Sequence, residues 1–254
     1  QQHQYRRDID AQPAADEKHQ RRQQNHQEQE LLQRYHGNRT LTNMHLFSYG
    51  FRPNFLLAGL AGLLLIPLWA ISFVYNVPRT SRWPPTLWHS HELLFGFIGA
   101  AIAGFLLTAV PSWTGIKGFA GRPLMWLAAV WLAGRILIAT SGWWPPLLVA
   151  LVDLAFLPLL IVLVARPLLR ERNRNTPLLL VLVALWAVNV AFHYANIGND
   201  PPRALHIVKL GINVVLVLVT VIGGRIVPAF TTSALRPLGE PAVLSRPMLT
   251  RLAV

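Results

Sequence analysis

The sequence predicts an all-α, polytopic transmembrane helix bundle with six helices in this chain, and three observations carry that reading. Of 254 residues, 53% are hydrophobic and only 13% charged, about half the charged share of an ordinary soluble domain. The apolar residues gather in six stretches, each near the ~20 residues that cross a bilayer's hydrocarbon. Strand-type alternation, which a membrane barrel requires, is absent. Cysteine is absent too, which excludes disulfides, thiolate metal sites, iron–sulfur clusters and cysteine nucleophiles. The formal charge of +12, in so apolar a chain, points to Lys and Arg held at membrane edges rather than to nucleic acid.

Residues 1–43 stand apart. They hold ten Gln, seven Lys or Arg and six Asp or Glu, with no Phe, Trp or Val. Such a segment buries too little apolar surface to offset its ordering entropy, and it lacks the apolar core of a signal peptide. It reads as a disordered polar extension, and the abrupt change of composition at Met44 marks the expected natural start. His3, His19, His26 and His36 fall in this extension and are set aside as ligands.

The six-helix domain is expected over 44–231. Its first span, 53–78, carries no charge, and neither does the second, 93–116. The third, 123–141, is interrupted only by Arg135, and the fourth, 146–165, only by Asp153. The fifth, 175–199, is again uncharged, and the sixth, 204–224, contains Lys209 alone. Helices follow near 53–75, 91–110, 123–141, 146–165, 177–195 and 204–224. Residues 232–254 read as a cytoplasmic connection.

Orientation follows from Lys and Arg in the connecting segments. One alternate set holds Arg39, Arg52, Lys117, Arg122, Arg166, Arg170, Arg172, Arg174, Arg225, Arg236, Arg246 and Arg251. The other holds Arg79, Arg82 and Arg203, with none in 141–145. Both ends of the chain are therefore expected on the cytoplasmic side.

That topology gives each polar residue a depth. His89, His91 and Glu92 fall at the outer start of the second helix, His193 near the outer end of the fifth, and His206 near the outer start of the sixth. His45 is cytoplasmic. Four histidines from three helix ends thus share one side of the membrane. Taken singly, each reads as an interfacial imidazole; taken together, they read as candidate ligands for haem iron or copper. On a regular helix His89 and His91 point about 200° apart. They meet one ion only if the helix begins between them, with Ser90 as its cap; otherwise they serve different centres, or one is structural. Glu92 either orients a ligand histidine or simply favours a helix N-terminus.

Arg135 and Asp153 flank the turn 141–145, each about eight residues from it and hence ~12 Å below it. So short a turn makes their helices antiparallel neighbours, and intramembrane charges need partners. An ion pair between the two is expected; the functional alternative has Arg135 holding a haem propionate. Gly96, Ala100 and Gly104 recur every fourth residue of the second helix, which permits close backbone approach and places that helix centrally.

These features fall within a recognisable set. Phe51-Arg52-Pro53, Trp88-His89-Ser90-His91-Glu92, the run GFLLTAVPSWTG at 104–115, Gly134-Arg135, Asp153 with Phe156-Leu157-Pro158, Phe192-His193, and GGRIVPAFT at 223–231 together resemble the NnrS family. The resemblance covers about 44–231. It implies a polytopic bacterial inner-membrane protein containing haem and copper, tied to nitric oxide metabolism, denitrification and the nitrosative stress response. The chain departs from the family at Asn54, usually an aromatic; at Leu93, usually Met; and at Ser112, usually Asn. None of these is a candidate ligand. Family members typically carry about twelve helices, so the chain is expected to be the N-terminal half of a longer protein.

Two function classes follow. One is a haem–copper membrane protein handling nitric oxide through outer-side histidines, with His89, His91, His193 and His206 as candidate metal and cofactor ligands and Arg135, Asp153 and Glu92 beside them. The other is a metal-free transporter half, in which Arg135, Asp153 and Lys209 line a solute or proton path. Partners are the lipid bilayer, nitric oxide and the second half of the protein. No hydrolase triad or phosphate loop is present.

Overall fold

The computed structural model describes residues 45–75, 80–171, 173 and 175–236, together with Gln29. The chain divides into two units, Gln1–His45 and Leu46–Val254. The polar extension expected over 1–43 lies outside the described residues apart from Gln29, and so does 237–254 of the expected connection. Arg39, Arg79, Arg172, Arg174, Arg246 and Arg251, six of the charges used for orientation, are outside them as well.

Six helices are long and apolar enough to cross a membrane: α1 Phe51–Val74, α2 Pro85–Thr114, α3 Arg122–Ala139, α4 Pro146–Arg170, α5 Leu178–Ile197 and α6 Pro201–Leu235. No strand occurs among the described residues. The fold is the all-α transmembrane bundle that the six apolar runs predict. Helices suit these runs because hydrocarbon supplies no partner for a backbone N–H or C=O, so each segment must satisfy its own.

α2 and α4 run four or five residues past their expected ends, to Thr114 and Arg170, and two boundaries differ more. α2 begins at Pro85 rather than near 91, because a proline in the first turn gives up an N–H that has no helical partner there. His89 and His91 consequently lie in one continuous helical turn. Ser90 does not cap a helix; its Oγ donates to the Thr86 carbonyl at 2.8 Å. α6 runs past 224 to Leu235, so 232–235, within the expected connection, is helical. Gly223 and Gly224 do not stop it, since neither adopts the positive φ that ends α2 at Gly115 (φ 70°).

Two helices depart from regular geometry beside the polar residues. α2 passes through a π-helical segment, Glu92–Phe97, within which the Gly96 carbonyl accepts the Trp131 indole N–H at 3.0 Å. α4 breaks at Ala155. Pro158 has no N–H to offer the carbonyl four residues before it, and the Trp186 indole donates to that Leu154 carbonyl instead, at 3.2 Å. Side chains from neighbouring helices thus satisfy backbone groups exposed by the irregularities.

α2 is central. Its most apolar window is 61% buried, against 17% for α1 and for α6. Ala100 is fully buried. A Cβ on Gly104 would stand 3.2 Å from the Phe55 ring of α1, so the small-residue stripe does bring a neighbour close. α2 packs on α1 and α4, α3 on α4, and α5 on α6. At one end of the bundle the segment 80–84 lies across the turn between α3 and α4. Gly142 N donates to Thr80 O at 2.7 Å, Thr80 Oγ1 to Ala139 O at 2.8 Å, and Arg82 N to Ser141 Oγ at 2.9 Å. Any Cβ at 142 would meet Thr80 O at 2.6 Å, so only glycine permits this contact.

Candidate metal centre

Four helices deliver polar side chains to one buried point at that end. The first turns of α2 aim His91 and Glu92 inward. α3 supplies Arg135, and Gly134 beside it lets α4 approach so closely that a Cβ there would lie 3.4 Å from the Asp153 Cα. α4 supplies Asp153, in the last turn before the break at Ala155. α5 supplies Asn189 and His193, which share a face because they are four residues apart. His91 is 0% exposed, Glu92 1%, Asn189 2%, and Asp153 and His193 3% each.

The cluster is knit through Asp153. Its Oδ1 is ion-paired with Arg135 Nη2. Its Oδ2 accepts from Asn189 Nδ2 and from His193 Nε2, both at 2.9 Å, and lies 3.3 Å from His91 Nε2. His91 Nε2 is also 3.1 Å from Asn189 Oδ1. Arg135 Nη1 donates to Glu92 Oε1 at 3.1 Å, so one guanidinium bridges both carboxylates. His91 Nδ1 is buried without a hydrogen bond, 3.5 Å from Glu92 Oε1. Trp83, from the segment over the turn, packs edge-on against His91, Phe192 and His193 with ring centroids 5.0, 5.1 and 5.5 Å away. A small crevice is lined by Arg82, Trp83, Ser141, His193 and Asn196 among others.

Of the four candidate histidines, His91 and His193 converge. His89 points to the opposite side of α2, where its ring stacks on Trp69 of α1 (centroids 4.2 Å apart, planes 20°). His206 is exposed, and its Nδ1 bonds the Pro202 carbonyl of its own helix at 2.7 Å. Lys209 is also on the exposed face of α6, with no hydrogen bond or ion pair to Arg135 or Asp153. Two members of the cluster were not anticipated: Asn189 and Trp83. Asn189 carried a signal, as a polar residue one helical turn before His193 in an otherwise apolar span. Trp83 carried none.

Chemically, His91 Nε2, His193 Nε2 and an Asp153 oxygen all lie within 4.8 Å of one another. Two imidazoles and a carboxylate suit a first-row transition ion. With both carboxylates ionised and the imidazoles neutral, Arg135 balances only one of the two negative charges, and a cation would complement the other. The unsatisfied His91 Nδ1 fits the same reading. An imidazole that ligates through Nε2 carries its proton on Nδ1, and Glu92 is the acceptor beside it. A porphyrin does not fit here: the His91 ring is enclosed by Trp83, Phe95, Phe192 and His193.

Six membrane-length helices around a buried, ionisable His–Asp–His cluster define a multi-pass membrane protein with a candidate transition-metal site. The chain belongs to the NnrS family: the NnrS protein family matches residues 45–254. No curated protein and no solved structure matches the chain.

Proposed function

We propose that this protein is a nitric oxide-responsive protein of the bacterial inner membrane that binds one copper ion through His91, His193 and Asp153. The observation carrying this reading is the mutual approach of those three buried donors. Copper and nitric oxide come from the family resemblance. Haem, which the same resemblance implies, is not assigned to this cluster.

When bound, the ion supplies an attachment point for a small diatomic ligand. The protein's own residues do the rest. Glu92 Oε1, 3.5 Å from His91 Nδ1, would accept a hydrogen bond from it and so orient the ring for ligation through Nε2. Arg135 holds Glu92 and Asp153 apart while neutralising one charge. Trp83 and Phe192 cover the imidazoles and would keep bulk water from them.

The test is to load the purified protein with copper and add nitric oxide without oxygen. The copper spectrum should change with saturation near one ion per chain. An unchanged spectrum on a fully loaded protein would remove nitric oxide from the account. We also propose that both ends of the chain are cytoplasmic and the cluster periplasmic, on the twelve-to-three distribution of Lys and Arg. A periplasm-active reporter inserted between Trp143 and Trp144 should be active, and one fused after Val254 silent; the opposite pattern inverts the orientation.

A further inference from the structure

α6 buries one side and leaves the other uncovered. Ala204, Val208, Gly211 and Leu218 are its buried residues, on the side that packs against α5 and the first turns of α2. At about 100° per residue, His206, Lys209, Asn213 and Thr220 fall within a sector of about 60° on the opposite side, and all four are exposed. Leu210 and Val217 flank this stripe on one edge, Ile212 and Leu216 on the other, all of them exposed. The outward face of a membrane-length helix thus carries a polar seam rimmed by apolar side chains.

Depth gives the seam its meaning. Arg203 and Arg225 stand ~33 Å apart along α6 at ~1.5 Å per residue, close to the ~30 Å of hydrocarbon. Lys209 is then ~9 Å inside the hydrocarbon and Asn213 ~15 Å inside it, near the midplane. A lysine can stretch its stem toward the interface, but an asparagine has a single methylene and cannot. Among the described residues neither side chain has a hydrogen bond or an ion pair. The undescribed stretch nearest in sequence to the cluster end, 76–79, holds no Asp or Glu. The acidic residues outside the description precede Phe51 or follow Leu235, the helix ends at the far side of the bundle.

Polar side chains at such depth face protein or a water-filled path. A seam about one helix wide with apolar rims matches a helix–helix contact, in which polar side chains bond across the interface. A second copy of the chain is a poor occupant. Two-fold pairing through the seam sets Lys209 against Lys209, and the intramembrane carboxylates Glu92 and Asp153 are buried and paired with Arg135. We propose that this face of α6 docks a transmembrane helix from outside this chain, with a carboxylate at the depth of Lys209 and a hydrogen-bonding side chain opposite Asn213. The seam shares no residue with the metal cluster.

The test reconstitutes the full chain in phosphatidylcholine vesicles, whose headgroups carry no net charge to compete for Lys209. Synthetic leucine–alanine transmembrane helices are the probes, and energy transfer from a donor on the chain reads binding. One probe carries a Glu at the depth of Lys209, a second adds a Gln at the depth of Asn213, and a third carries neither. The wild type should bind the Glu helix about tenfold more tightly than the plain one, and the Glu/Gln helix more tightly still. Lys209→Met should lose the preference for Glu, Asn213→Leu only the gain from Gln, both with the thermal midpoint of the wild type. Lys209→Glu should instead prefer a helix bearing Lys. Equal binding of plain and Glu helices by the wild type, a Glu preference that survives in Lys209→Met, or self-association of the chain that displaces the Glu helix would each overturn the proposal.

Discussion

Arg135→Gln is expected to cut the yield of folded protein sharply, and the double variant Arg135→Gln/Asp153→Asn to recover part of it. Asp153 receives the Arg135 guanidinium, Asn189 Nδ2 and His193 Nε2 in a space that is 3% exposed. Removing the guanidinium leaves Glu92 and Asp153 both uncompensated, and breaking buried pairs in this way costs about 3–5 kcal/mol. That is a large part of the ~5–15 kcal/mol that holds a typical domain together. Asp153→Asn alone should be less damaging, because it leaves Arg135 paired with Glu92. The measurement is the monodisperse fraction in detergent and its thermal midpoint for the two single variants and the double. Should the double be no better than the worse single variant, the two residues are not energetically coupled.

The second large effect concerns metal content. His91→Ala and His193→Ala are expected to lose copper almost completely, whereas His89→Ala and His206→Ala keep it. The distinction follows from placement: His89 is stacked on Trp69 on the far side of α2, and His206 is exposed on α6. Glu92→Gln should weaken binding about 10–100-fold, the usual effect of losing the group that orients a ligand histidine. Elemental analysis of the five variants beside the wild type reads all of this in one series. Retention of full copper by His91→Ala and His193→Ala would place the ligands elsewhere.

The number and type of the helices were legible because hydrocarbon leaves the chain little choice: an uncharged run of membrane length must be helical. The ends were less so. A proline before the His89–His91 motif reads equally well as a barrier or as a first-turn residue, and only packing decided for Pro85. The sixth helix, expected to end near 224, runs on through Gly223-Gly224 to Leu235. In the candidate centre, the proximity of Arg135 and Asp153 followed from a five-residue turn that fixes both depth and adjacency. Which histidines converge did not follow, because depth alone says nothing about rotation around a helix axis. The 200° separation of His89 and His91 was calculable, but which of them faces inward depends on where α4 and α5 pack. Glu92 was visible as a neighbour of His91, while its bond to Arg135 spans 43 positions and has no local trace.

The most direct test of the central claim is electron spin-echo spectroscopy of the copper(II)-loaded protein, which counts imidazoles bound to the ion. The account predicts two, falling to one in His91→Ala and in His193→Ala and staying at two in His206→Ala. A wild-type signal with no coordinated imidazole, or one that includes His89 or His206, would contradict it.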